Sequence, residues 1–496
     1  MHQNSASEVS VLVVGAGPAG LTAAITLARY GVDVLLVERR TDLSSLPRAT
    51  AVSTRTMELM RSFGLEERIR SGGIDVEWNA WITESLASPA GAAMPLGFPT
   101  REQAAQLSPT TPACVPQDHL EPVLLDYLQS FPHADVRLGT ELVTLKQDSQ
   151  SVTVGLWDAA AGRSFDVRAA YVVAADGAHS NVRTMLGIPM EGPDNLVEHS
   201  TVLFHAPLWD VLGERRHGIY VITDPKAAGV FVPVGANDRW LYGREFTEGP
   251  QRPAELSQDG LTDLLRSASG VTSLQPKIER VGSFSFAAQI ASRYREQHVF
   301  LVGDAAHRVT PRGGTGMNTA IHDGFDLGWK LGWVLNGWAE PQLLETYESE
   351  RRPVGLHNTA RSADPEGSRR EAAEGLAADL GDRIPHVWLH REGARISTLD
   401  LLGPSVTLLT DQYGGIWRHA LPSTVATVGA HEVGEAAADK LGIRGGGAAL
   451  VRPDGKPIAI WAVAIPDPAA AMAAAMNGMA MCTTAALAPV RQRLAS

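Results

Sequence analysis

A glycine-rich turn near the N-terminus constrains the fold of this chain more than any other feature. Gly15, Gly17 and Gly20 have the spacing G-x-G-x-x-G and lie between a valine-rich run at residues 9–14 and a helical pattern at residues 21–30. In a dinucleotide fold the first glycine permits the tight turn, the second lets the backbone approach the pyrophosphate, and the third allows close helix packing. The helix N-terminus offers unpaired N–H groups to the phosphates. The sequence therefore predicts that a strand, this turn and a helix bind a dinucleotide.

The next predicted strand ends in a carboxylate. Residues 32–37 are mostly valine and leucine, and Glu38 follows them. A strand, turn, helix and strand of this total length form one βαβ unit with parallel strands. A carboxylate at this position can accept hydrogen bonds from the ribose hydroxyls, and it would repel a 2′-phosphate. These residues indicate an ADP moiety with an unphosphorylated ribose, but they do not distinguish NAD from FAD.

Two later segments make that distinction. The run ADGAHSNVR at residues 175–183 follows a predicted buried strand, and VGDAAH at residues 302–307 is followed by PRGGTGMN at residues 311–318. With these motifs the chain resembles the class A flavoprotein monooxygenases, a family of aromatic hydroxylases with one bound FAD. Its layout is most similar to the larger members that act on polyketides, phenols and indole-derived aromatics, including the RebC-like enzymes. Taken alone, Asp176 and Gly177 would instead fit a turn that caps a helix.

The resemblance implies a set of cofactor contacts. Asp304 would accept a hydrogen bond from a ribitol hydroxyl, and Pro311 would face the isoalloxazine ring. Backbone N–H groups at the start of a long helix would stabilise negative charge on the reduced flavin. No protein group is assigned as catalytic, and Arg48 and Pro311 are candidate positioning residues. Together with the turn, the predicted cofactor-binding residues are Gly15, Gly17, Gly20, Glu38, Arg39, Arg48, Gln117, Val143 (through its backbone), Asp176, Gly303, Asp304, Pro311, Gly316, Met317 and Asn318.

The resemblance also implies a reaction. NAD(P)H would reduce a tightly bound FAD, O2 would add at the flavin C4a as a hydroperoxide, and one oxygen atom would reach a phenolic or polyketide-type aromatic substrate. Such chemistry serves secondary metabolism, including antibiotic biosynthesis, or aromatic catabolism. NAD(P)H would bind transiently, because the sequence has no second dinucleotide-binding pattern, and a homodimer is compatible with the resemblance.

Several alternatives stay open at this point. A related flavoenzyme could carry out Baeyer–Villiger, epoxidation or oxidative decarboxylation chemistry. A dehydrogenase or oxidase that inserts no oxygen, and a non-catalytic flavin-binding module, are further alternatives. The sequence also leaves open the identity of the substrate and the choice between NADH and NADPH.

The composition argues against several other classes of protein. The net charge of −12 does not suit a general nucleic-acid binder, which needs a basic face. The two cysteines, Cys114 and Cys482, form no C-x-x-C pair, and the histidines are too scattered to predict a metal site. We expect no secretory signal, because residues 1–8 have neither a basic n-region nor a long apolar core. Residues 468–490 are uncharged but are mainly alanine and methionine, so we expect a terminal helix rather than a membrane span, in a cytoplasmic protein.

We predict an α/β fold of three parts. Residues 1–190 and 286–395 would form a discontinuous, Rossmann-like FAD-binding domain of the GR2 type. Residues 191–285, with a contribution from residues 75–115, would form a substrate domain built on an inserted antiparallel β-sheet. Residues 396–496 would form a C-terminal α/β domain, which the resemblance makes thioredoxin-like. Without a C-x-x-C pair this domain could not exchange dithiols.

Three expectations concern single elements. A helix at residues 319–336 carries Gly324, Gly328 and Gly332 on one stripe, which would let it approach the sheet beside the cofactor. A polar helix at residues 360–381 would lead out of the core. The aromatic residues of the middle sheet are expected in the core rather than in a substrate pocket, and they are Trp240, Tyr242, Phe284 and Phe286.

Overall fold

The computed structural model describes residues 7–235, 237–246, 255–367, 369–421 and 428–480, and it has the predicted α/β fold. Its larger sheets have eight, seven and four strands. The glycine turn follows the first strand of the eight-stranded sheet, and the seven-stranded sheet faces that sheet across a cavity. The four-stranded sheet lies in the C-terminal part of the chain.

The centre of the eight-stranded sheet is parallel. Neighbouring strands there run in the order Val299–Leu301, Arg163–Ala174, Ser7–Val14, Val34–Glu38 and Ala134–Leu138. The apolar side chains of residues 11–14, 34–37, 172–174 and 299–301 are buried, which explains the runs of valine and leucine there. Arg295–Glu296, Thr140–Gln147 and Val152–Asp158 complete the sheet through antiparallel pairs.

Two helices pack tightly beside this sheet, Pro18–Arg29 and Gly316–Leu335. The long helix begins at Gly316, three residues before the predicted start. A Cβ on Gly324 would collide with the carbonyl oxygen of Ala19, and one on Gly328 would lie 2.7 Å from Thr26 Cβ. The glycine stripe therefore permits a close approach, as predicted, but the predicted partner was wrong, because the stripe faces the first helix rather than the sheet.

The seven-stranded sheet has two different faces. Its order is Lys277–Ser285, Glu198–His205, Arg239–Phe246, Gly229–Pro233, His217–Ile222, Glu77–Thr83 and Ala92–Pro95, with one parallel pair, between His217–Ile222 and Glu77–Thr83. One face packs on the helix Gln258–Ser269 and buries Trp240 and Tyr242, as expected for core residues. The opposite face lines the cavity.

The C-terminal part has the topology predicted for it. The strand order is Gly429–Glu432, Thr407–Thr410, Ala448–Val451 and Pro457–Trp461, and only the first neighbouring pair is parallel. The helices of this part are Gly415–His419, Glu435–Leu441 and Pro468–Gly478. This order and these directions are those of a thioredoxin fold.

The prediction of one polar helix at residues 360–381 was wrong. The structure has two helices, Glu345–Ala363 and Ala372–Leu380, with an extended residue, Asp364, after the first. Pro365 disfavours the helical conformation of the residue before it, which explains the break. The second helix does not leave the core, because it buries Leu376 and Leu380.

The remaining elements are short and connect the larger parts. Among the described residues, no helix is both long enough and apolar enough to cross a membrane. The predicted terminal helix is observed as Pro468–Gly478, and its continuation beyond residue 480 lies outside the described residues. The other helices are Thr54–Ser62, Glu66–Arg70, Arg101–Leu107, Gln117–Gln129, Asn181–Met185 and Leu208–Leu212, and the other strands are Ala51–Val52, Ala113–Cys114, Met190–Glu191, Gln289–Ala291, His307–Arg308, Trp388–Arg391 and Ala394–Ser397.

Candidate active site

A large cavity lies where the carboxyl ends of the parallel strands meet the open face of the seven-stranded sheet. Its volume is about 1520 Å³, and Val14, Val37, Ala175 and Val302 line it at or just beyond the strand ends. Ligands of open α/β sheets bind at this edge. Pockets for one drug-sized ligand usually measure about 300–1,000 Å³, so this cavity has room for a dinucleotide and a second molecule.

The glycine turn forms one end of the cavity. Gly15 has φ +109°, and a Cβ there would collide with the carbonyl oxygen of Ala175. A Cβ on Gly20 would collide with the carbonyl oxygen of Gly15. Gly17, the N-cap of the first helix, has no atom within 4 Å of an added Cβ. The first and third glycines are therefore required by packing, whereas the second leaves open space in front of the helix N-terminus for a phosphate.

Glu38 holds this turn in shape. Its Oε2 accepts a hydrogen bond from the N–H of Ala16 at 3.0 Å, and its Oε1 accepts one from the N–H of Arg40 at 3.0 Å. Each carboxylate oxygen keeps acceptor capacity for a ribose hydroxyl. Arg39 is exposed and lines the cavity, so the structure brings this residue and Glu38 together beside the glycine turn.

Asp176 both lines the cavity and caps a helix. It accepts hydrogen bonds from Ser180 Oγ at 2.5 Å and from the N–H of Val182 at 3.0 Å, and burial raises the pKa of its carboxyl. The buried guanidinium of Arg183 donates to the carbonyl oxygens of Ala178 and Ala305. Arg183 thereby connects the loop after Asp176 to the loop that carries Asp304, and both carboxylates face the cavity.

A buried carboxylate that the sequence reasoning missed supports the loop at Gly303. Asp323 accepts a hydrogen bond from the N–H of Gly303 at 3.2 Å, and it pairs with His307 at 2.6 Å and Arg351 at 2.8 Å. Burial by itself would raise the pKa of Asp323, but Arg351 and His307 lower it below its usual value. A charged residue on a helix whose neighbouring residues are mostly apolar was the signal that could have identified it.

The loop after residue 310 contributes Pro311, Gly316 and Met317 to the cavity wall. Asn318 has a different role, because its side chain accepts from the N–H of Ser53 and donates to the carbonyl oxygens of Ala51 and Gly314. It fixes the loop against the strand Ala51–Val52. The N-terminus of the long helix is therefore held at the cavity, as the predicted flavin contact requires.

The other predicted residues divide into two groups. Arg48 is exposed to the cavity, and Gln117 lines it close to the glycine turn. Val143, predicted to contact the cofactor through its backbone, does not line the cavity, whereas the two residues before it, Glu141 and Leu142, do.

The open face of the seven-stranded sheet is aliphatic and ends in an aromatic cluster. Phe284 and Phe286 line the cavity with His199, whose ring lies 5.2 Å from each of theirs. The expectation of a core position was wrong for Phe284, which is 45% exposed, whereas Phe286 is buried and also lines the cavity. Arg312 lies over the ring of Phe286 and pairs with Glu245 at 3.1 Å. Arg312, the residue after Pro311, therefore contacts the seven-stranded sheet on the opposite side of the cavity.

Two family models match the chain. Residues 8–362 match a model described as FAD binding domain, and residues 377–480 match one described as aromatic-ring hydroxylase, C-terminal. The chain belongs to the FAD-dependent aromatic-ring hydroxylases. Both the resemblance noted in the sequence and the predicted FAD cofactor are confirmed, and this aromatic-ring hydroxylase is an FAD-dependent monooxygenase.

Individual members of the family match over almost the whole chain. Aklavinone 12-hydroxylase of Streptomyces purpurascens is 35% identical, over 94% of this chain and 97% of its own. Tetracenomycin A2 monooxygenase-dioxygenase of Streptomyces glaucescens is 33% identical, over 91% of this chain and 93% of its own. A crystal structure of aklavinone-11 hydroxylase with FAD and aklavinone has a TM-score of 0.86 and 31% identity, covering 96% of this chain and 99% of that one.

The residues of this hydroxylase fit FAD. The open space at Gly17, the two-oxygen acceptor at Glu38 and the helix N-terminus at Gly316 lie around one cavity that is large enough for the cofactor. When bound, FAD supplies the redox chemistry and the activation of O2 that no side chain can provide.

Proposed function

We propose that this hydroxylase adds one oxygen atom from O2 to a flat, polycyclic, polyketide-type aromatic substrate, with NAD(P)H as the electron donor. The observation that carries this proposal is the single cavity of about 1520 Å³ shared by the cofactor turn and the open sheet face. This volume exceeds the roughly 300–1,000 Å³ of a pocket for one drug-sized ligand, which leaves room for a large substrate beside FAD.

The open sheet face has the chemistry of an aromatic-binding surface. We call the six aliphatic side chains that line it the floor, and they are Leu203, Ile219, Val221, Val230, Val232 and Leu241. They alternate with core residues along strands, so they form an apolar surface on one face of the sheet. Arg280, opposite Leu203 on the edge strand Lys277–Ser285, also lines the cavity. Such an apolar surface buries a flat ring system and excludes water from the reacting atoms. The names of the aklavinone and tetracenomycin relatives support a polycyclic substrate of this kind.

The protein contributes positioning and electrostatics. The N–H groups at the start of the helix Gly316–Leu335 point a positive dipole end toward the cavity. The exposed guanidinium of Arg48 offers a positive charge at the cavity for the phosphates of NAD(P)H. Because NAD(P)H is an intracellular reductant, this function supports the prediction of a cytoplasmic enzyme. The homodimer stays a prediction that a solution mass measurement would test.

Oxygen labelling and coupled turnover test the proposal. Aklavinone, a hydroxylated anthraquinone and phenol should be compared as probes with the FAD-loaded enzyme, each with NADH and with NADPH. We expect the polycyclic compounds to accelerate NAD(P)H oxidation at least tenfold more than phenol does. Their product should carry one ¹⁸O atom from ¹⁸O2 in a new aromatic hydroxyl.

Other outcomes would assign a different reaction. Faster turnover with phenol would overturn the polycyclic substrate class. A ring-expanded ester in the product would identify Baeyer–Villiger chemistry, and rapid NAD(P)H oxidation without any labelled product would identify an oxidase.

A further inference from the structure

A buried carboxylate on the cofactor side of the cavity has no part in the function described so far. Glu121 lies on the helix Gln117–Gln129, is 3% exposed and contributes to the cavity wall. Its Oε1 accepts a hydrogen bond from Gln117 Nε2 at 2.7 Å. Within the described parts of the chain this is the one hydrogen bond of either side chain, so the two residues depend on each other for orientation.

The charges around Glu121 are mixed. Burial raises the pKa of Glu121 to about 7, and Glu38 and Asp118 act in the same direction. The hydrogen bond from Gln117 and the positive charge of Arg48 oppose that rise. Both protonation states of this carboxyl are therefore accessible near neutral pH.

The protonation state of Glu121 determines which end of the Gln117 amide can face the cavity. An ionised carboxylate only accepts hydrogen bonds, so it binds the amide NH₂ group and leaves the carbonyl oxygen of Gln117 for the cavity. A protonated carboxyl can donate to that carbonyl oxygen, and the NH₂ group can then face the cavity. Phosphate and carbonyl oxygens of FAD accept hydrogen bonds, so Gln117 can donate to them when its NH₂ group faces the cavity.

The charge of the cofactor also favours the protonated form of Glu121. The pyrophosphate is anionic, and Glu121 lies close enough to the glycine turn to interact electrostatically with Glu38, which accepts a hydrogen bond from the N–H of Ala16. An anion brought near a carboxylate favours the protonated form. We propose that Glu121 is a positioning residue that sets the orientation of the Gln117 amide, and that it takes up a proton when FAD binds.

A defined pH dependence follows from this coupling. A ligand that favours the protonated form of a group binds more tightly at a pH where that group is already protonated. FAD affinity should therefore be highest below pH 7 and should fall above it. If bound FAD raises the pKa of Glu121 by one unit, the dissociation constant should increase about five- to tenfold between pH 6 and pH 8.5.

The release of FAD from the full-length holoenzyme, followed by flavin fluorescence on dilution, tests this proposal. In Glu121→Gln the amide imitates the protonated carboxyl, so FAD affinity should match that of the wild type at pH 6 and should not change with pH. In Gln117→Leu the hydrogen bond that favours the carboxylate is absent, so the fall in affinity should move to higher pH. Asp126→Asn is the control, because Asp126 lies on the same helix with its side chain 66% exposed, and its profile should match the wild type.

Two results would overturn the proposal. The first is a Glu121→Gln variant whose FAD affinity falls with pH as steeply as that of the wild type. The second is a Gln117→Leu profile with an unchanged midpoint, which would show that the amide does not act on Glu121. The second variant keeps the proposal falsifiable even if Glu121→Gln does not fold.

Discussion

At the scale of single residues, the cofactor end of the cavity is formed before any ligand arrives. Glu38 accepts hydrogen bonds from two backbone N–H groups around the turn, and Asn318 makes three hydrogen bonds that hold the loop below the helix N-terminus. A binding site that is already ordered loses less conformational freedom when its ligand binds. Tight binding of FAD is consistent with this arrangement.

Replacement of Gly17 by alanine tests the phosphate position. Gly17 has φ −77° and ψ 178°, which any residue can adopt, and no atom lies within 4 Å of the added Cβ. We expect the apoprotein to keep its thermal midpoint while FAD affinity falls at least tenfold, because the methyl group occupies the space of the pyrophosphate. Gly434→Ala is the matched control, since Gly434 is also an extended N-cap glycine with open space around it. Unchanged FAD affinity in Gly17→Ala would contradict this position of the phosphate.

His199 should make the stability of the protein depend on pH. Burial lowers the pKa of His199 to about 4, whereas the unfolded chain would bind a proton near pH 6.5. The unfolded state therefore binds more protons between these values, and stability is lost as pH falls from 6.5 to 4 by up to about 3 kcal/mol. The thermal midpoint of His199→Phe should fall less between pH 7 and pH 4.5 than that of the wild type. An equal fall in the two proteins would contradict the lowered pKa of His199. His390→Phe, at an exposed histidine, is the control, and its thermal midpoint should fall as much as that of the wild type.

At the scale of elements, the long helix Gly316–Leu335 connects three functions. Its first turn reaches the cavity, Asp323 in its middle supports the loop at Gly303, and its glycine stripe packs on the helix that follows the cofactor turn. The sequence predicted the helix, the motifs and the close packing, because glycine spacing and periodicity are local signals. The sequence could not identify the partners of Asp323, Glu121 or Phe284. Contacts between distant segments leave no local pattern, and alternation along a strand does not show which sheet face is turned to the cavity.

Gly324→Ala should weaken this packing and the cofactor site together. The added Cβ would collide with backbone at Ala19, which must move because no flexible side chain can give way. Overpacking of this kind destabilises a protein by about 1–3 kcal/mol, more than the gain of up to about 1 kcal/mol in helix propensity. We expect a lower thermal midpoint and weaker FAD binding. Gly478→Ala, in a helix where the Cβ meets nothing within 4 Å, should not lower either quantity, and a stabilised Gly324→Ala would refute the packing argument.

At the scale of the whole molecule, buried ion pairs attach the C-terminal part to the helices Glu345–Ala363 and Gly316–Leu335. Arg452 bonds both carboxylate oxygens of Glu350 at 2.7 Å and pairs with Asp454, and Lys330 pairs with Asp326 and Glu350. Three of these groups, Asp326, Glu350 and Asp454, are close enough to share a metal ion, but each already pairs with Arg452 or Lys330.

Arg452→Met should destabilise this attachment strongly. Removal of one partner from a buried ion pair leaves uncompensated carboxylates and costs about 3–5 kcal/mol. We expect a large fall in the thermal midpoint and earlier proteolysis of the C-terminal part. Arg444→Met is the comparison within the same part of the chain, because Arg444 and Asp439 form an exposed pair that contributes at most about 1 kcal/mol. Similar midpoints for the two variants would show that the Arg452 cluster does not hold the parts together.

The separation of the floor from the cofactor turn has a consequence for engineering. The floor side chains belong to one sheet, and the turn that meets the phosphates belongs to another, each with its own hydrophobic core. Libraries that vary the floor can therefore change which ring systems are accepted while the flavin stays loaded. The FAD site can thus be kept unchanged while the floor side chains are varied to bind other aromatic substrates.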